Sequence, residues 1–155
     1  MKKFLFLFLI LFAHFSLAQT DKINPKTPPT KDIFFKKENT PNAAPTQKIK
    51  QIHSDSINRK PDLYGGNMFF DGNVEFQHNG AVLTANRVVF YQKENFVKAI
   101  GNVVLVTSDG NRITAEEMEY DGETQRGIAR KNVVLTDPKQ TISTDVLYYD
   151  RVKNT

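Results

Sequence analysis

The stretch Ile100-Gly101-Asn102-Val103-Val104-Leu105-Val106-Thr107-Ser108-Asp109-Gly110-Asn111-Arg112-Ile113-Thr114-Ala115-Glu116-Glu117-Met118-Glu119-Tyr120-Asp121 contains one unit of a pattern that runs three times through the second half of the chain. Asn73-Val74, Asn102-Val103 and Asn132-Val133 fall in register, as do Leu83, Ile113 and Ile142, and then Phe90, Tyr120 and Tyr149, at spacings of 29 to 30 residues. A fixed period of this length marks stacked supersecondary units, none of which buries its own apolar face alone. It points to an extended surface and away from a single pocket.

Each unit opens with alternating apolar residues, Val74 and Phe76, Val103 and Leu105, Val133 and Leu135, the period of a half-buried strand. A turn follows at Asn79-Gly80 and at Asp109-Gly110, residue types that tolerate positive φ, with Asp137-Pro138-Lys139 in the same place in the third unit. The returning strand changes phase partway. Leu83 and Ala85 give way to Val88 and Phe90, Ile113 and Ala115 to Met118 and Tyr120, and Ile142 and Thr144 to Leu147 and Tyr149. A bulge or bend at this step of three keeps both halves of the strand facing one interior. Second turns are expected at Lys93-Glu94-Asn95 and Asp121-Gly122-Glu123. Upstream, Ile52-His53-Ser54-Asp55 matches Leu83-Thr84-Ala85-Asn86 as a degenerate half-unit, with Met68 to Phe70 leading into the first full one. The expectation is an all-β fold of seven or eight antiparallel strands, an open, rolled sandwich or solenoid.

Met1 to Ala18 carries Lys2 and Lys3, an apolar run from Phe4, and Ser16-Leu17-Ala18 as a cleavage site, which reads as a secretory signal removed after Ala18. The apolar stretch is shorter than the roughly 20 residues of a membrane-spanning helix. The chain has no cysteine, so an exported fold must hold by packing, and no lipid-modified cysteine is available as an anchor. Residues 19–48, rich in Pro, Lys, Thr and Asn, read as a disordered tether ahead of a domain at 49–155. Gln19 to Lys60 holds nine Lys or Arg against four Asp or Glu, and Pro61 to Thr155 holds ten against thirteen. The net charge of +4 therefore combines a basic arm, suited to anionic lipid headgroups, with a slightly acidic body.

The residues for catalysis are sparse. His53 and His78 stand apart from any thiol or carboxylate pair at metal-ligand spacing and read as surface or strand histidines. Glu116, Glu117 and Glu119 lack acidic counterparts in the other units and read as a solvated edge. Gly65-Gly66 lacks the strand-to-helix setting of a phosphate loop. The aromatic residues keep inward phase, which speaks against nucleic acid. No cofactor, metal or enzyme activity is expected.

The segments Asp71-Gly72-Asn73-Val74, Leu83-Thr84-Ala85-Asn86, Ile100-Gly101-Asn102-Val103-Val104, Ile113-Thr114-Ala115-Glu116, Glu119-Tyr120-Asp121 and Ile142-Ser143-Thr144-Asp145 resemble the OstA or LptA-type domain of the lipopolysaccharide transport system, also called the organic solvent tolerance N-terminal domain. The likeness extends from about Ile49 to the end. It implies a V-shaped β-jellyroll whose open ends stack on like domains of inner- and outer-membrane components, bridging the periplasm. It also implies that lipid A acyl chains of lipopolysaccharide travel along the apolar interior, driven by an inner-membrane ATPase. On that reading the lipid-contacting inner face comprises Val74, Phe76, Leu83, Val88, Phe90, Val103, Leu105, Ile113, Met118, Tyr120, Val133, Leu135, Ile142, Leu147 and Tyr149. The same residues equally make an ordinary sandwich core. The Pro-rich basic arm departs from the family pattern, and the repeat stops midway through a unit at Asp150 to Thr155. An open last strand invites another strand. The alternatives to a lipid conduit are therefore an assembly module that acts by edge docking or end-to-end self-association without lipid, and the front piece of a longer outer-membrane assembly protein.

Overall fold

The computed structural model describes Phe35 and residues 47–151. The signal segment 1–18 lies outside the described residues, as does the tether at 19–48 except for Phe35, Gln47 and Lys48. Eight strands follow one another: β1 (Lys50–His53), β2 (Ser56–Arg59), β3 (Met68–His78), β4 (Ala81–Tyr91), β5 (Phe96–Val106), β6 (Arg112–Asp121), β7 (Arg126–Thr136) and β8 (Thr141–Asp150). They form a single antiparallel meander in the order β1-β3-β4-β5-β6-β7-β8, with β2 also paired to β3. The all-β, repeat-built architecture expected from the period is the one observed.

The phase change in the returning strands has its physical cause in their neighbours. Between the pairs Asp71↔Arg87 and Val74↔Ala85, Gly72 and Asn73 stand opposite Asn86 alone. Gly101 and Asn102 stand likewise opposite Glu116, and Lys131 and Asn132 opposite Asp145. All six residues of these pairs have positive φ, between 46° and 77°. Two successive left-handed residues reverse the strand's course locally, and Gly and Asn are the types that accept that region at least cost. The bulge therefore belongs to the opening strand. Asn73, Asn102 and Asn132, which mark the start of each unit in the sequence, lie at mid-strand.

These aligned bulges crease the whole sheet. Six residues of extended strand span about 20 Å, yet the rings of Phe70 and Phe76 on β3 are 5.2 Å apart at 84°. The strand must fold back on itself between them. Each long strand thus contributes to two limbs of a V. The first limb ends at the hairpin tips Asn79-Gly80, 107–111 and 137–140, and the second at 92–95, 122–125 and Arg151. The half-unit at Ile52 to Asp55 also takes its expected place: β1 and β2 are two halves of one returning strand broken at the crease. Asp55 accepts a hydrogen bond from Asn73 Nδ2 at 3.0 Å, as Asn86 does from Asn102 at 3.4 Å.

A second apolar cluster covers part of the outer face. Phe69, Val89, Tyr91, Phe96 and Ile128 are buried there with Phe35, against the partly buried Leu63 and Tyr64 of the turn between β2 and β3. The Phe35 ring meets Phe96 edge-on at 5.5 Å. Burial pushes the Tyr91 phenol up to about 12. Elsewhere the outer face is charged, with Glu119 held between Lys98 and Arg130 at 3.1 Å each, and Arg87 paired to Asp71 over the Phe69 ring.

Candidate functional site

The inner faces of both limbs form one continuous apolar surface. Because directly paired residues point to the same side of a sheet, Phe76, Leu83, Leu105, Ile113, Leu135 and Ile142 make a row across the first limb. Phe70, Val88, Ala99, Met118, Ala129 and Leu147 make the facing row on the second. Phe76 is the keystone between them, edge-on to Phe70 and to Phe90, the latter at 5.4 Å. The gap near the limb tips, bordered by Ile49, Phe76, Leu83, Leu105 and Tyr120, amounts to about 10 Å³. That is room for at most one water molecule. A larger apolar guest enters only if the limbs part.

Polar groups close the mouth of the V. His78 at the end of β3 and Tyr120 near the end of β6 are separated in the sheet by two strands, yet their side chains bond across the interior at 2.9 Å. His78 Nε2 lies 2.9 Å from the carbonyl of Gln47 and so donates to it, which leaves Nδ1 to accept from the Tyr120 hydroxyl. The neutral imidazole satisfies both contacts, and burial, which disfavours the charged ring, holds its pKa below the ordinary value. Burial likewise raises the Tyr120 phenol. Beside this pair, the Arg151 guanidinium donates to the carbonyl of Asn79 at 2.6 Å and to Ser108 Oγ at 2.8 Å, tying tip to tip.

Of the fifteen residues expected on the inner face, twelve are buried in this one cluster, and Leu135 and Leu147 pack against it half-buried. Ile142 shares the face but is 40% exposed, because among the described residues no strand lies beyond β8. The expected set omitted Ile49, Phe70, Val97 and the small residues Ala81, Ala85, Ala99, Ala115 and Ala129, which the structure brings into the same cluster. The alanines sit at correct inward phase beside the larger residues, so the alternation carried their signal. His78 is a strand histidine, buried rather than at the surface, while His53 is exposed 3.6 Å from Asp55. Glu117 and Glu119, read as a solvated edge, are ion-paired on the outer face. Among the described residues no group of three His, Asp or Glu is placed to hold a metal ion.

The comparisons with known proteins agree with this architecture. The family described as OstA-like protein matches residues 46–155. The LPS-assembly protein LptD of Polaromonas sp. (strain JS666 / ATCC BAA-500) is 32% identical over 82 residues, 53% of this chain but only 10% of that relative's length. The crystal structure of LptH, the LptA-homologous periplasmic component of the lipopolysaccharide transport device of Pseudomonas aeruginosa, superposes with a TM-score of 0.61 at 17% identity, covering 70% of this chain and 80% of that one. Creased antiparallel sheet, repeat and inward apolar rows together place the chain in one group: it belongs to the OstA-like family and has the LptA-type β-jellyroll fold.

Proposed function

We propose that this chain is a non-enzymatic periplasmic module of lipopolysaccharide transport to the outer membrane, exported by its apolar leader, which holds lipid A acyl chains between its limbs and joins like domains through its strand edges. The supporting relatives are named for that system, LptD as an assembly protein and LptH as a periplasmic component. The observation that carries the reading is the unbroken apolar inner surface from β3 to β8, which ends at an open edge on the half-exposed Ile142. Each methylene transferred from water to such a surface gains about 0.8 kcal/mol, so an acyl chain offsets much of the cost of parting the limbs.

A second reading is an edge-docking assembly module, or the front part of a longer LptD-like protein, that carries no lipid. The closed interior and the partial match to LptD favour it. Photocrosslinking in living cells separates the two, with a probe amino acid at Leu105, deep in the interior, at Ile142 on the rim, and at the exposed Lys139 as control. Lipopolysaccharide adducts at Leu105 and Ile142 but not at Lys139 are expected. Protein adducts alone, with no lipid at either inner position, would establish the docking module instead.

A further inference from the structure

The three residues before β1 do not belong to the sheet, yet they touch both limbs. Gln47 offers its carbonyl to His78 Nε2 on the first limb at 2.9 Å and to Asn95 Nδ2 at the tip of the second at 3.2 Å. Lys48 pairs with Glu123 in the β6–β7 turn at 2.7 Å. The Ile49 amide donates to Asn95 Oδ1 at 2.8 Å, and its side chain, 5% exposed, lies in the interior cluster against the residual gap. Gly122 is packed so closely under it that an added Cβ would fall 2.9 Å from Ile49 Cγ1.

We propose that Gln47–Ile49 is a releasable strap across the mouth of the V, and that it must lift before an acyl chain can lie between the limbs. This rests on the lipid-carrying reading above. The strap is the part of the mouth best suited to move. It is held by three neutral hydrogen bonds, one ion pair whose lysine is 66% exposed, and one apolar side chain, whereas each limb is held by continuous strand ladders. An exposed ion pair is a weak fastener. Lifting the strap also withdraws Ile49 from the space bordered by Phe76, Leu83, Leu105 and Tyr120, so release and enlargement of the site are one event. The Gln47 carbonyl joins His78 and Asn95 on opposite limbs, so lifting it also removes a bond that holds the limbs together.

The absence of native cysteine permits a clean test. Ile49→Cys with Gly122→Cys places two Cβ atoms within about 4.4 Å, one C–C bond beyond the 2.9 Å contact and inside the range of a disulfide. The full mature chain is oxidised, its binding of purified lipopolysaccharide measured, and the disulfide then reduced. Oxidation is expected to slow or weaken binding at least tenfold, with recovery on reduction. Equal binding by both forms would overturn the strap while leaving the carrier reading intact. Failure of the unmodified protein to bind would defeat the carrier reading and the strap with it. Hydrogen exchange on the unmodified chain covers the case in which the paired cysteines disturb Asn95. Added lipopolysaccharide should speed exchange at the Ile49 amide more than at β4 and β5, and unchanged or increased protection there would overturn the proposal.

Discussion

His78 carries a stability switch because burial disfavours its charged form in the folded state. Its neutral form donates to Gln47 and accepts from Tyr120, and burial keeps the folded-state pKa below 6.5. The hydrogen bond to the Gln47 carbonyl opposes the depression, Arg151 nearby adds to it, and Glu123 and Asp121 oppose it. A histidine with a lowered folded pKa binds more protons when unfolded, so its contribution is complete above pH 6.5 and is lost as pH falls from there toward the folded value. The melting temperature should therefore decline between pH 7.5 and 5.5, and His78→Gln should flatten that decline; an unchanged slope in the variant would reject the assignment. Phe35 makes a separate contribution. It is 2% exposed against Phe96, although it lies in a stretch whose composition reads as a tether. Phe35→Ala should cost about 2 kcal/mol, the order expected for one buried aromatic ring, measured as a lower urea midpoint. The sequence offered only the short apolar group Ile33-Phe34-Phe35 as a sign of this contact, because a docking site on the outer face of a distant strand leaves no periodicity in the docking segment.

Among the elements, the creased opening strands decide the fold. Alternation made the returning strands legible, since the step of three from Ala85 to Val88 recurs in every unit. The opening strands hide their bulge, because the inward step from Phe70 to Val74, or from Ala99 to Val103, is an even number of residues and leaves the apparent phase unchanged. The signal that was present is chemical: Gly-Asn twice, and Lys-Asn once, at the point where two left-handed residues are needed. Gly101, with φ of 77°, tests this. Gly101→Ala should destabilise by about 1–2 kcal/mol, the cost of holding a β-carbon in the left-handed region. Its added Cβ would lie 2.9 Å from the Asn86 amide, but that exposed side chain can turn aside, so backbone strain is the larger effect. Gly101→Asn should lose less despite its larger side chain, since Asn tolerates this conformation. Urea midpoints in the opposite order would show that space, not backbone, sets the requirement.

Over the whole molecule, the sheet has two unequal ends. One edge is the broken pair β1 and β2, while the other is the long β8, which has no further strand beside it among the described residues. Ile142 is 40% exposed on the inner side, and Val146 and Tyr148 are 42% and 57% exposed on the outer side of the same strand. With exposed apolar residues on both faces and Asp145 as its one exposed charge, this edge strand carries little of the charge that natural edges use to prevent pairing. On the function proposed above, the β8 edge is the surface at which another strand, from a like domain or a second copy of this chain, continues the sheet. If so, Val146→Lys combined with Tyr148→Lys should suppress concentration-dependent association in sedimentation velocity while the chain stays folded, since neither side chain belongs to the buried inner cluster. Placing the same pair of lysines at Ile52 and Ile57, on the opposite edge, separates the modes of assembly. Loss of association from either edge indicates head-to-tail stacking of β8 on the β1/β2 end, whereas loss from the β8 variant alone indicates a symmetric pair. Association unaffected by either variant would exclude strand-edge docking between copies of this chain.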